Sequence, residues 1–291
     1  MSYSTASTSS ASATTTVRRS GQPLYPSEVD TTKITYTEVK AMSNGVCKTC
    51  YVNYEGGPLL IEFPWMTTYD GIALPPAEFR DDNAPPKYSI QFSMKGYQGD
   101  NPQIKALYEC MQEIQNKLIQ DSCKYSMQWH KKPKMSPDVA EAILSPLVKI
   151  PTDKDTGEVL DQYPPKFKVK VPYWDGDFNC SVFKSGIQTP LKGDLSEQVC
   201  GRMEARAIVQ CGGLWFAGSK FGMSWKLKQM EFRTIEQAGL ASYAFREPTP
   251  ACAGGVDEAN TVQVGGGTDS ADDAVDDVLE EDDEVVDSDM E

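Results

Sequence analysis

Hydrophobic and polar residues alternate along much of this chain, as they do in strands that bury one face. Tyr88–Lys95 places Tyr, Ile, Phe and Met on one face and Ser, Gln, Ser and Lys on the other. Lys166–Val171 alternates without a break, with three lysines opposite Phe, Val and Val. The following Asp175-Gly176 pair is typical of a hairpin turn, which joins this strand to Phe178–Phe183.

A second hairpin and two helices complete the predicted domain. The hairpin pairs Ala205–Ala217 with Gly222–Phe232 through a turn at Gly218–Gly222. Pro102–Gln120 carries apolar residues at three-and-four spacing, and Ser136–Leu147 is a shorter helical segment. Both helices have a good N-cap residue followed by proline. The pattern predicts a mainly β domain with inserted α-helices.

Composition divides the chain into three parts. Twelve of the first twenty residues are Ser or Thr, whereas all five Trp lie in the middle of the chain and no aromatic residue follows Phe245. Proline and glycine then become frequent before an acidic end. We predict a disordered Ser/Thr-rich leader at residues 1–29, a folded domain at 30–246 and a disordered acidic tail at 247–291.

The net charge of -14 belongs to the end of the chain. Val256–Glu291 holds 15 of the 42 acidic residues and none of the 28 lysines and arginines, so residues 1–255 carry 27 acids against 28 bases, a net charge of +1. The chain is therefore a nearly neutral body with an anionic tail. Such a tail is expected to compete with an anionic ligand for a cationic surface and to recruit basic partner proteins, although a merely solubilising role is an alternative.

The residues favour a protein that is not an enzyme. The chain has one histidine, His130, and no Walker or dinucleotide-binding motif. Asp175 and Asp177 could hold Mg²⁺, but a hairpin turn explains both. His130 is interpreted as a loop residue. We therefore predict no catalytic residue, no metal site and no cofactor.

Eight cysteines are scattered through the chain, and only Cys47 and Cys50 form a close pair. A structural zinc site normally takes four ligands in two such pairs, so zinc or redox use of this pair is the less favoured reading. Unpaired cysteines, together with the lack of an apolar spanning run or secretory signal, predict a soluble, non-exported protein in a reducing compartment.

Lysines and aromatic rings lie together on two of the predicted strands. Single-stranded nucleic acid is bound by cationic grooves that follow the phosphates and by rings on which bases stack. A lysine row is also the ordinary solvated face of a sheet, which is the alternative here. Trp215 and Phe216 point to opposite faces of one strand, so at most one of them stacks on a base. The candidate nucleic-acid-binding residues are Lys166, Lys168, Lys170, Tyr173, Trp174, Trp215, Phe216, Lys220, Phe221, Lys226 and Lys228.

The late segment AIVQCGGLWFAGSKFGMSWKLKQMEF, the inserted helix and the acidic C-terminus resemble the single-stranded DNA-binding proteins of nucleocytoplasmic large DNA viruses. That family is in turn similar to the replication single-stranded DNA-binding protein of podophages. The resemblance covers about residues 31–291 and implies an OB-fold, a partly open five-stranded Greek-key barrel. It also implies that the late hairpin contributes to the DNA face and that the tail contacts replication proteins.

One departure concerns the end of the chain. The podophage relative ends in an aromatic residue, whereas this chain ends in Met290-Glu291. Apolar anchors within the tail would then come from Val278, Leu279, Val285, Val286 and Met290.

The resemblance implies a protein that coats single-stranded DNA in viral replication, recombination and repair, in the host cytoplasm or nucleus or in the virion. A homodimer is left open. The alternative is a virion structural or chaperone-like protein that binds basic partners through its tail.

Overall fold

A computed structural model of the protein describes residues 21–42, 47–80, 84–153 and 156–235. Most of the predicted leader and the whole predicted tail lie outside the described residues. The domain begins before the predicted boundary at residue 30. Leu24 is buried, and its backbone forms hydrogen bonds with Leu60 and Glu62 of 3.0 and 2.8 Å. The composition of this part of the chain did not predict the attachment, because only two apolar residues, Leu24 and Val29, anchor it in the core.

The described residues are rich in short strands. Strands β1–β7 span Ile34–Tyr36, Lys40–Ala41, Lys48–Cys50, Val52–Tyr54, Gly57–Pro58, Leu60–Thr68 and Ile72–Ala73. Strands β8–β14 span Tyr88–Ser93, Lys166–Val171, Tyr173–Trp174, Asp177–Phe178, Ser181–Lys184, Met203–Ala217 and Lys220–Thr234. Helices α1–α4 span Pro102–Lys124, Ser126–His130, Pro137–Ile143 and Leu195–Gln198. Three short 3₁₀ helices lie at Pro26–Glu28, Thr31–Lys33 and Ala77–Phe79.

Five of these strands close into a barrel. Strand β8 pairs antiparallel with β6 and β9, β13 pairs antiparallel with β6 and β14, and β14 meets β9 in parallel where Lys226 lies opposite Lys170. Around the barrel the strands therefore follow the order β6, β8, β9, β14 and β13, and β13 closes the barrel by pairing with β6. This is the five-stranded Greek-key arrangement of an OB-fold. The predicted mainly β, OB-fold class is confirmed.

The alternating strands place their apolar residues inside the barrel. Phe63, Phe92 and Phe167 are fully buried and form edge-to-face pairs with centroid distances of 5.8 and 5.2 Å. Trp225 contacts Phe167 at 5.8 Å. Since three strands and the late hairpin contribute one ring each, this core fixes which face of each strand points to solvent.

Two strand predictions need correction. The late turn has two residues, Gly218 and Ser219, because the β13–β14 ladder continues to the Ala217–Lys220 pair. The predicted strand Phe178–Phe183 is divided: its first residue belongs to the small hairpin of β10 and β11, and β12 leaves to pair in parallel with β14. Period-two alternation does not reveal such a change of partner.

Helix α1 begins as predicted. The Asn101 side chain accepts hydrogen bonds from the backbone N–H groups of Gln103 and Ile104. The helix continues four residues beyond the predicted end at Gln120, because the polar Asp121 can be buried there with its charge satisfied. The Asp121 carboxylate accepts a 2.7 Å hydrogen bond from the Tyr36 hydroxyl and forms an ion pair with Lys117 at 3.0 Å. Among the described residues, no helix is long and apolar enough to cross a membrane.

Helices α2 and α3 lie between β8 and β9, and α2 packs against the tip of the β13–β14 hairpin. The ring of Trp129 lies 5.7 Å from Phe216 and 6.3 Å from Phe221. Helix α3 starts after Ser136, whose hydroxyl accepts from Val139 N–H, and ends at Ile143 rather than Leu147. Ser145 N–H then donates to the carbonyl of Phe221 at 2.7 Å, which attaches the chain after α3 to β14.

His130 is the last residue of α2 rather than a loop residue. Its Nε2 atom shares a 2.8 Å hydrogen bond with Ser122 Oγ, and its ring contacts Phe216 and Phe221 at 5.6 and 5.0 Å. Burial, followed by the charges of Lys132 and Lys48, lowers the pKa of His130 to about 4. The ring is therefore neutral at physiological pH.

We expect the protein to lose stability as the pH falls from 6.5, the ordinary histidine pKa, towards the folded pKa of about 4. Between these pH values His130 binds a proton in the unfolded chain but not in the folded protein, so a fall in pH favours unfolding. Solvent screening at this half-buried site reduces the loss to about 1–2 kcal/mol. Urea unfolding of the wild type and of His130→Gln across this range measures it. Parallel pH profiles for the two proteins would contradict the expectation.

Candidate nucleic-acid interface

A row of lysines follows the outer face of β9. Lys166, Lys168 and Lys170 are half-buried, while the residues between and after them are buried in the barrel. Successive lysines in this row are two residues apart, which is about 6.6 Å along a strand. The predicted face of β9 is therefore the observed one, and its lysines form a regular line.

Strand β14 adds lysines to the same surface. Lys226 lies directly opposite Lys170, and Lys228 is exposed, whereas Trp225 and Leu227 point into the core. Strand β13 has a β-bulge between Cys211 and Gly213, next to the Gln210–Lys226 pair. A Cβ atom at Gly212 would lie 2.7 Å from Oγ of Ser224 and 3.1 Å from Cε of Lys226, so the aliphatic stem of this lysine passes close to the backbone of Gly212.

Lys149 joins this surface without a signal in the sequence. Its backbone exchanges two hydrogen bonds with Lys166, of 2.9 and 2.8 Å, so the two residues lie directly opposite each other and their side chains share a face. Lys149 lies between α3 and β9, where neither helical nor alternating periodicity applies. Only the backbone pairing with Lys166 places Lys149 on this surface.

The neighbouring strand β8 does not neutralise the lysines. Ser93, Gln91 and Ser89 lie opposite Lys166, Lys168 and Lys170 respectively. The outward positions of β8 and β9 therefore carry cations and neutral polar groups only. We define the lysine face as Lys149, Lys166, Lys168, Lys170, Lys226 and Lys228. Positive charge gathered on one surface favours a polyanionic ligand.

Three aromatic rings pack together at the end of β8 and β9 where the lysine row stops. Tyr88 lies opposite Val171, one pair beyond Ser89 and Lys170, so it belongs to the core-facing set and lies on the opposite face of the strands from the lysines. Its ring contacts Tyr173 at 5.1 Å and Phe178 at 4.8 Å, and the latter two rings are 4.9 Å apart. All three are half-buried. Tyr173 is one of the predicted site residues, whereas the sequence pattern assigns Tyr88 and Phe178 only to strands.

Trp174 extends from the same hairpin and is 45% exposed. The turn that follows it, Asp175-Gly176, has positive φ at both residues, 55° and 81°, as a type I′ turn requires. Asp177 accepts a hydrogen bond from Phe178 N–H. Both aspartates thus have turn roles, as the simpler interpretation predicted. The turn presents Trp174 to solvent beside the three rings.

The late hairpin divides its predicted site residues between two faces. Trp215 is half-buried and its indole lies over Gly222, where a Cβ atom would be 2.6 Å from Cζ2 of the ring. Lys220 is exposed at the start of β14. Phe216 and Phe221 instead lie in the core, stacked at 6.0 Å with an interplanar angle of 10°. The prediction that these two rings contact nucleic acid is corrected, because neither presents a face to solvent.

A second cluster of cations, at the far end of β13 and β14, is internally neutralised. The guanidinium groups of Arg206 and Arg233 lie 5.4 and 4.5 Å from the ring of Trp65. Arg206 pairs with Glu231, and Arg233 pairs with Glu204. Equal charges of both signs make this cluster a structural network rather than a polyanion site.

The close cysteine pair does not form a metal site. Cys50 is buried in the main core and its thiol donates to the Thr37 carbonyl at 3.1 Å, while Cys47 packs with Met42, Ala217 and Trp215 in a separate cluster. The two thiols therefore lie in different environments, and no group of three or more metal-ligating side chains occurs among the described residues.

No protein-family model matches the chain, and no curated protein matches it. Among solved structures, it is similar to the single-stranded DNA-binding protein of bacteriophage Enc34 in complex with single-stranded DNA, with a TM-score of 0.40 and 15% identity over 64% of this chain and 91% of that chain. It is also similar to gp2.5, a single-stranded DNA-binding protein of bacteriophage T7, with a TM-score of 0.38 and 11% identity over 65% of this chain and 98% of that chain.

Proposed function

We propose that this protein binds single-stranded DNA without sequence preference and without catalysing a reaction on it. The observation that carries the proposal is the lysine face. The half-buried rings of Tyr88, Tyr173 and Phe178 and the exposed ring of Trp174 lie at the adjoining end of the barrel. Lysines neutralise phosphates, and rings stack on bases, each stack contributing about 1–3 kcal/mol. Every base has a ring face, so this mode of binding does not select a sequence.

The aromatic rings favour a single strand over a duplex. A base must leave its own stack before a side-chain ring can stack on it, which a paired strand resists. Phosphate neutralisation alone would serve both forms of DNA. We therefore expect the rings at the adjoining end of the barrel, above all the exposed Trp174, to supply the preference.

The biological setting and the role of the tail belong to the same proposal and rest on the sequence. The resemblance to the proteins of large DNA viruses supports a role in viral replication, recombination and repair, at viral replication sites in the host cytoplasm or nucleus or in the virion. The 15 acidic residues of Val256–Glu291 support a tail that competes with DNA for the lysine face. A tethered competitor acts at an effective concentration that reaches about millimolar. When DNA displaces it, the tail is free to recruit replication proteins.

Fluorescence anisotropy with labelled oligo-dT and a matching duplex tests the proposal, using the full chain and a chain ending at Phe245 at several salt concentrations. We expect tighter binding to the single strand, a log–log salt slope of up to about -4 if all six lysines neutralise phosphates, and tighter binding by the shortened chain. Weaker binding after truncation would overturn the competing role of the tail. No binding by either protein would overturn DNA binding and favour the structural, tail-centred alternative.

A further inference from the structure

Three exposed lysines lie in the loop between α2 and α3, near the tip of the β13–β14 hairpin. Lys131, the C-cap residue that follows α2, adopts a left-handed conformation with φ of 57°, and Lys132 and Lys134 come after it. Lys48 on β3 lies on the other side of this tip, with its backbone opposite Phe216. We call Lys48, Lys131, Lys132 and Lys134 the loop lysine cluster.

Packing holds this cluster in place. The loop begins directly after Trp129 and His130, whose rings contact both Phe216 and Phe221 in the hairpin. Lys132 is tied back to α2 by a 3.2 Å hydrogen bond from its N–H to the Ser126 carbonyl. The charges that lower the pKa of His130 come from Lys132 and Lys48, so cations from both sides approach the same ring.

A short ordered segment connects the cluster to the lysine face. The ring of Phe221 contacts His130, and its carbonyl accepts from Ser145 N–H. Four residues later, Lys149 pairs with Lys166 at the start of the lysine row. The rim of the barrel thus runs from the row on β9, past the hairpin tip, to the α2–α3 loop.

Between described residues, none of the four lysines of this cluster forms an ion pair that would explain it as a structural network. The ion pairs in that part of the chain involve other lysines and arginines, such as Lys33 with Glu55 and Lys105 with Glu109. Like charges held close together repel one another, and an anionic ligand relieves that repulsion. Arg206 and Arg233 show the contrast, because each has a glutamate partner.

We propose that the loop lysine cluster is a second phosphate-binding site for the same single strand, which continues from the lysine face over the tip of the β13–β14 hairpin. The inference rests on the proposed function and extends it. A short oligonucleotide fills the lysine face alone, whereas a longer one reaches the loop. The cluster therefore sets the length of strand that one molecule covers.

The test compares Lys131→Glu/Lys132→Glu/Lys134→Glu with wild type on oligo-dT of about 8 and about 30 nucleotides, one length within and one beyond the usual OB-fold site size of about 4–16 nucleotides. We expect the variant to bind the long strand at least 10-fold more weakly, with a salt slope less steep by about 2, and to bind the short strand within about twofold of wild type. All three side chains are exposed, so thermal unfolding should match wild type.

A matched control carries the same change in net charge at exposed lysines elsewhere, Lys105→Glu/Lys184→Glu/Lys192→Glu. Equal losses in the two triple variants would overturn the second site, since they would reflect overall charge alone. Equal losses on short and long strands would also overturn it, because the loop would then belong to the primary site. If wild type binds neither strand, the proposed function itself fails, an outcome distinct from both.

Discussion

Reversing the charge of Lys166, Lys168 and Lys170 together is expected to weaken binding to single-stranded DNA by at least about 100-fold at low salt. Each substitution to Glu removes one phosphate contact and places a carboxylate against the strand. The salt slope should become less steep by about 2, because three fewer counterions are released. Anisotropy titrations of a short oligo-dT at a series of salt concentrations measure both changes.

The fold should survive this triple substitution. The three side chains point away from the barrel, while Phe167 and Val169 between them are fully buried and unchanged. Exposed or half-exposed positions tolerate such changes far better than core positions do. The charge-matched variant at Lys105, Lys184 and Lys192 controls for net charge. If both variants lose affinity equally, the lysine face is an ordinary solvated sheet surface, which was the alternative reading of the sequence.

Alternation was sufficient to predict the orientation of this face. In β9 and in the second half of the late hairpin, apolar residues occupy every second position, and burying them leaves one orientation for the lysines. Turn chemistry was equally informative at Asp175-Gly176, since two consecutive positive φ angles strongly favour those residues. Both rules depend only on neighbouring residues, and the tertiary structure of the barrel agrees with them.

The sequence pattern did not predict the contacts between segments that are distant along the chain. Lys149 reaches the lysine face only because the chain after α3 pairs with β9, and Tyr88 meets Phe178 only because β8 and the small hairpin meet at one end of the barrel. Phe216 and Phe221 were misassigned for a related reason. Their neighbours are lysines and Trp215, as in a binding surface, but α2 covers their side of the hairpin with Trp129. A strand face that appears free in sequence is buried once a helix from another segment packs on it.

The two faces of the late hairpin should respond oppositely to mutation, and Phe221→Ala is expected to have the largest effect on stability. Phe221 is fully buried and contacts Phe216, Trp129 and His130. Removing its ring leaves a cavity beneath α2, which should lower the free energy of unfolding by about 3–5 kcal/mol. Urea unfolding followed by tryptophan fluorescence measures the change.

Trp215→Ala is the matched control, because Trp215 lies on the opposite face of the same hairpin and is half-buried over Gly222. We expect it to cost less than about half as much stability and to weaken oligo-dT binding by about 1–3 kcal/mol, the range of one lost stack. Phe221→Ala should retain wild-type affinity for oligo-dT of about 8 nucleotides, per folded molecule at low temperature, because a strand of that length fills the lysine face alone. If Phe221→Ala instead costs less than about 1 kcal/mol while abolishing binding, the ring belongs to the interface and the core assignment of this face is wrong.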